Sequence, residues 1–119
     1  MAKPFNVNQV INYTLAEEKE NPEGSVFHLG ALDAQLEAYI YDKNKNESNW
    51  MLSYELVRFG LKGWDKFEAP FVTEEVHVPG IGKRTAVKLE SMNSIKPYIA
   101  ELALNIIIQS RLSGTDQKN

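Results

Sequence analysis

Cysteine is missing from all 119 residues of the sequence, which excludes disulfides, thiolate metal sites and a cysteine nucleophile together. Histidine is scarce. His28 and His77 stand far apart, each inside an apparent strand, with no HxH, HExxH or carboxylate–histidine spacing around them. Neither reads as a metal ligand or a catalytic group. The longest apolar run, Leu102 to Ile108, falls far short of the roughly 20 residues a membrane span needs. The opening Met1 to Asn6 has no apolar h-region, so no secretory leader is expected. There is no internal repeat and no low-complexity tract.

Catalytic signatures are missing too. The serines lie outside any GxSxG context. Gly80-Ile81-Gly82 lacks both the third glycine and the preceding buried strand of a dinucleotide fingerprint. Glu74 and Glu75 are adjacent, so on a strand they point to opposite faces and make no acid/base pair. These absences predict a protein with no enzymatic activity and no cofactor or metal.

What is present describes an ordinary globular chain. Hydrophobic residues make up 43% and charged residues 24%, values that suit one folded domain with a modest core. A net charge of -3 argues against broad attraction to nucleic acid and leaves room for a local basic patch.

Read along the chain, the pattern predicts an α+β domain with about three main helices, a short strand and a β-hairpin over residues 71–90. Residues 1–25 are expected to hold a helical segment and an acidic loop, 26–112 the core, and 113–119 a polar tail. Val7, Val10, Ile11 and Leu15 follow helical spacing, and Glu17 to Gly24 reads as the solvated loop after them. Ser25 to Leu32 reads as a strand. Asp33 is a good N-cap for a helix to about Asp42 that buries Leu36, Tyr39 and Ile40. Asp42 to Asn49 is a polar, mobile connector.

A second helix is expected from about Asn49 to Phe59, with Trp50, Tyr54, Val57 and Leu61 on one stripe that Leu52, Leu56 and Phe59 widen. Gly60 is placed as the left-handed residue that closes it. Leu61 to Phe67 follows as a turn whose aromatics, Trp64 and Phe67, either lid the core or stack on a ligand. The last helix is expected to start at Ser94, tolerate Pro97 in its first turn and reach Leu112.

That last helix is poorly segregated. At about 100° per residue, Ile95, Ile99, Leu102 and Ile106 share one face. Leu104, Ile107, Ile108 and Leu112 fall on others. A helix apolar nearly all round needs cover on more than one side. Either the domain wraps it entirely, or part of it meets another chain. We expect the second.

Residues 71–90 admit two readings. Val78 to Leu89 looks like the hairpin and second helix of a helix-hairpin-helix element. There, backbone N–H groups and a lysine grip a DNA phosphate without reading sequence. Gly80, Gly82, Lys83, Arg84 and Lys88 would make those contacts. Upstream, however, Phe71 to Val78 is rich in β-branched residues and boxed between Pro70 and Pro79. Read as a β-hairpin, Val72, Val76 and Val78 share one face, Gly80 to Lys83 make the turn, and Val87 and Leu89 return. The hairpin is the preferred reading.

Three blocks carry a resemblance. They are Phe27-His28-Leu29-Gly30-Ala31-Leu32-Asp33 with Tyr41-Asp42; Leu56-Val57-Arg58-Phe59-Gly60-Leu61-Lys62-Gly63-Trp64 with Phe67; and Ile95…Ile99 into Glu101-Leu102-Ala103…Ile106, Ser110, Leu112 and Lys118-Asn119. In that order they resemble small proteins encoded in the head and tail gene blocks of tailed bacteriophages. The first 25 residues lie outside the resemblance, and the Gly80 to Gly82 turn departs from it.

The resemblance implies a non-enzymatic part in virion morphogenesis, as a head–tail or tail structural accessory or an assembly chaperone. It implies other phage structural proteins as partners, or further copies of this chain, in the bacterial host cytoplasm during assembly or in the virion. It brings no catalytic residue and no membrane. The segment between the second and third blocks is extended hairpin in the proteins it resembles. From the residues themselves, the expected protein interface comprises Arg58, Lys62, Trp64 and Phe67, with Leu104, Ile107, Ile108 and Leu112 of the last helix. Nucleic acid is a partner only on the helix-hairpin-helix reading.

Overall fold

A computed structural model describes residues 2–111, and its architecture is α+β. Strands β1 (Val10–Thr14), β2 (Val26–Gly30) and β3 (Leu61–Asp65) form one antiparallel sheet in that order. Strands β4 (Thr73–Val78) and β5 (Gly82–Val87) form a separate hairpin. Helices α1 (Ala34–Lys43), α2 (Asn49–Gly60), α3 (Leu89–Ser94) and α4 (Ile99–Arg111) complete the fold, with α2 and α4 packed on one another.

The N-terminal helix expected at Val7 to Leu15 is instead β1. The reason is visible in the register. Ile11 pairs with Leu29 and Tyr13 with Phe27, so Ile11 and Tyr13 lie on the core-facing side of the sheet with two fully buried residues. Val10, which the helical reading placed inside, is half exposed at 50%. The operative period is two, and the run Val-Ile-Asn-Tyr-Thr suits a strand. After β1, Ala16 to Glu18 makes a short 3-10 turn.

The Asp33 cap is present: its carboxylate accepts the Leu36 N–H at 2.9 Å, and Leu36 and Ile40 are buried behind it. Asn44 ends α1 by donating its side-chain amide to the Ile40 carbonyl at 2.8 Å. Its burial ties down the start of the polar connector. Ser48 caps α2 through the Met51 N–H at 3.3 Å. Trp50, expected on the buried stripe, is 44% exposed. Leu56, Val57, Phe59 and Leu61 of the same expected stripe are buried.

Gly60 is not left-handed, since the positive-φ glycines of the described residues are Gly80 and Gly82. Its value is steric. A Cβ there would sit 2.7 Å from Cγ2 of Ile106, so the bare backbone lets α4 approach the end of α2. The chain then enters β3 directly, and the turn expected over Leu61 to Phe67 is mostly strand.

Residues 71–90 adopt the hairpin. Val76 pairs with Arg84 and Val78 with Gly82, and the reversal needs φ of +79° at Gly80 and +113° at Gly82, conformations natural to glycine. Leu89 does not return on β5. It opens α3 and is 61% exposed. Buried Ser91 fastens α3 to the strand leading into the hairpin, accepting the Val72 N–H at 2.9 Å and donating to the Pro70 carbonyl at 2.8 Å.

The last helix is broken where continuity was expected. Ser94 belongs to α3, where its hydroxyl donates to the Glu90 carbonyl at 3.2 Å. Ile95 leaves the helical region at φ −109°, ψ 13°, and Lys96 to Tyr98 make a 3-10 turn around Pro97. Proline has no N–H to give to an upstream carbonyl, so α3 cannot run through it. A new helix starts at Ile99.

Candidate functional site

Two surfaces gather residues of functional interest. The first is the solvent side of α4. Ile99, Leu102, Ala103 and Ile106 are buried against α2 and the sheet. Ser110, also buried, accepts the Leu32 N–H at 2.9 Å through its hydroxyl. Leu104 and Ile108, one helical turn apart, remain 57% and 47% exposed. Ile107 is half-buried. The domain therefore covers one side of this helix and leaves an apolar pair open on the other. Leu112, the fourth helix residue expected at the interface, lies outside the described residues.

The remaining expected interface residues do not join that surface as a free patch. Trp64 and Phe67 turn inward, with ring centroids 5.0 Å apart and Phe27 at 6.1 and 5.5 Å. The Trp64 indole donates to the Ala69 carbonyl at 2.8 Å. Their work is to lid the core. Arg58 is likewise occupied, donating to the Val87 carbonyl at 3.1 Å and to the Glu74 carboxylate at 2.8 Å. It joins α2 to the hairpin.

The second surface is a cleft of about 350 Å³ at one end of the three-stranded sheet. Antiparallel pairing brings together the approach to β1, the exit of β2 and the start of β3. The β4–β5 hairpin closes the other side. Leu32, Leu36 and Phe59 give the cleft an apolar lining, and Lys62, Lys83 and Arg84 surround it with cations beside Asp33. Arg84 approaches the Asp33 carboxylate at a loose 3.6 Å.

Lys62 folds its stem over Gly30, where a Cβ would lie 2.6 Å from the lysine Cε. Its ammonium donates to the Phe59 carbonyl at 3.0 Å. Lys62 has exposed surface as a residue, yet protein around the charged end pushes its pKa down, a shift that nearby Asp33 partly offsets. No carboxylate among the described residues is ion-paired to Lys62 or Lys83.

This cleft joins Lys62 from one expected site to Lys83 and Arg84 from the other. The sequence offered no sign of that, because Asp33, Lys62 and Arg84 come from three distant segments. Lys88 caps α3 with its backbone, away from the cleft lining, and Gly80 and Gly82 shape the hairpin turn. Since residues 73–78 are strand, they supply no first helix for a helix-hairpin-helix element.

His28 lies on the outer face of the sheet. Its ring nitrogens contact the Asn12 side-chain oxygen at 2.7 Å and the Asp65 carboxylate at 3.0 Å, so it clips β1 and β3 across β2. His77 is exposed on the hairpin. Among the described residues no group of three or more His, Cys, Asp or Glu could hold a metal ion, and no helix is long and apolar enough to cross a membrane. Comparison of the chain with family models, curated proteins and solved structures gives no match.

Proposed function

We propose that this protein serves bacteriophage morphogenesis without catalysis, as a head–tail or tail structural accessory or assembly chaperone that works through protein–protein contacts. The observation that carries the reading is the open apolar pair Leu104 and Ile108 on a helix whose opposite face is fully committed to the core. Covering each would remove an apolar side chain from water, worth on the order of 1–2 kcal/mol for groups already about half covered. The pair makes a compact anchor in a larger contact, as a few central residues commonly do at protein interfaces. The resemblance of the Phe27, Leu56 and Ile95 blocks to phage head and tail proteins supplies the kind of partner. The host cytoplasm during assembly is then its place of action, with the virion as the alternative destination.

Sedimentation velocity of the protein mixed with head and tail structural proteins tests this. Wild type is expected to co-sediment with at least one of them, and Leu104→Lys/Ile108→Lys to remain free while still folded. Failure of wild type to join any of them overturns the reading.

A DNA-binding role is the second reading, favoured by the cations Lys83 and Arg84 beside the glycine turn. It requires duplex affinity that falls steeply with salt and is lost in Lys83→Glu.

A further inference from the structure

The two ends of the three-stranded sheet carry opposite charge. At one end lies the cleft ringed by Lys62, Lys83 and Arg84. At the other, the loop from β1 to β2 carries Glu17, Glu20 and Glu23, all exposed. Among the described residues none of these three carboxylates has an ion-pair partner. The loop is held firmly from behind: Glu18 accepts the Ser25 N–H at 3.3 Å, the Ser25 hydroxyl donates to the Lys66 carbonyl at 2.7 Å, and the Lys66 ammonium donates to the Pro22 carbonyl at 2.9 Å. With strands of five residues rising about 3.3 Å each, roughly 16 Å of sheet separates the ends. The loop therefore cannot fold back into its own molecule's cleft.

We propose that the basic cleft receives the Glu17–Glu23 loop of a second copy of this chain, so that copies join head to tail. The complementarity is specific to position. Among the described residues Lys62 and Lys83 form no ion pair with a carboxylate and the loop's three carboxylates form none with a cation, and the cleft has an apolar lining on which glutamate methylenes can lie. Because donor and acceptor surfaces differ, each added copy leaves one of each open, and growth continues until a ring closes or a filament extends. This inference rests on the assembly reading above and supplies its partner, the chain itself, through a surface separate from Leu104 and Ile108.

The test uses two full-length variants, Glu17→Lys/Glu20→Lys/Glu23→Lys and Lys83→Glu/Arg84→Gln, with circular dichroism to verify the fold of each. Sedimentation velocity of wild type at low salt is expected to show association that grows with concentration and recedes as salt is raised. Each variant alone is expected to be monomeric, with self-affinity reduced at least tenfold. Mixed together, they retain one intact cleft and one intact loop, so they are expected to form a 1:1 pair and stop. A strictly monomeric wild type, a mixture that stays monomeric, or variants that associate like wild type overturns the proposal. Lys83-dependent capture of duplex DNA by a monomeric wild type would likewise overturn it. Since none of these readings involves Leu104 or Ile108, failure here is separable from failure of the α4 contact.

Discussion

Gly60 allows a substitution whose effect should change sign with its neighbour. Replacing glycine by alanine inside a helix ordinarily stabilises by about 0.5–1 kcal/mol, and Gly60 has no positive φ to forbid it. Here the added Cβ would meet Cγ2, Cδ1 and Cγ1 of Ile106 at 2.7, 2.8 and 3.1 Å. Ile106 is fully buried and stiff at χ1, so it cannot swing away. Overpacking of this kind costs about 1–3 kcal/mol, which exceeds the propensity gain. Gly60→Ala is therefore expected to lose roughly 1–2 kcal/mol. Ile106→Ala alone should lose about 2–5 kcal/mol through its cavity. In that background the Gly60→Ala methyl enters space the isoleucine has vacated, and the same substitution should stabilise. Urea unfolding of the four proteins measures the cycle. With slopes of about 1–3 kcal/mol/M, the opposing shifts of midpoint are readily resolved. A Gly60→Ala protein as stable as wild type, or one destabilised equally in both backgrounds, would refute the close approach of α2 and α4.

Three further outcomes are expected. Ser91→Ala removes two part-buried hydrogen bonds made by a buried hydroxyl, to the Val72 N–H and the Pro70 carbonyl, so urea unfolding should show a loss of about 1–2 kcal/mol, whereas exposed Ser94→Ala should be nearly neutral. The buried Glu55 carboxylate accepts from Lys43 at 2.6 Å while half of the lysine side chain faces solvent. Lys43→Met should therefore cost about 1–2 kcal/mol, less than the loss of a fully buried pair, and Glu55→Gln in that background should recover part of it. Burial and the Glu101 carboxylate, which accepts from the Tyr13 hydroxyl, push the Tyr13 pKa up to about 12. A raised pKa means the folded state favours the protonated phenol, so this contribution is complete below pH of about 10 and lost as pH climbs from there towards 12. Thermal unfolding of Tyr13→Phe should fall less over that interval than wild type does.

The legible parts of the fold were those fixed by local chemistry. Asp33 caps α1 as its type suggests, and Pro79 and the glycines mark the hairpin reversal. The β-branched run before Pro79 forms a strand. The misread parts depended on partners distant in sequence. Val7, Val10, Ile11 and Leu15 fit a helical wheel, yet Ile11 and Tyr13 pair with Leu29 and Phe27. Tertiary pairing outweighed the apparent period. Gly60 was legible as special but for the wrong reason, since only the packed structure reveals Ile106 against it. Sequence pattern alone tolerates Pro97 in the first turn of a longer helix, whereas the chain uses it to separate α3 from α4. At the candidate sites, Leu104 and Ile108 followed from helical geometry alone. The cleft did not, because nothing in the sequence links Asp33 and Lys62 to Arg84.

Site-specific photo-cross-linking in cells producing phage particles tests the assembly account most directly. A photoreactive residue at position 104 is compared with one at position 89, where Leu89 is equally open to solvent but lies on α3. The account expects a cross-linked product with a phage structural protein from position 104 and none, or far less, from position 89. Particle-producing cells in which position 104 captures no structural protein, or no more than position 89 does, would contradict it.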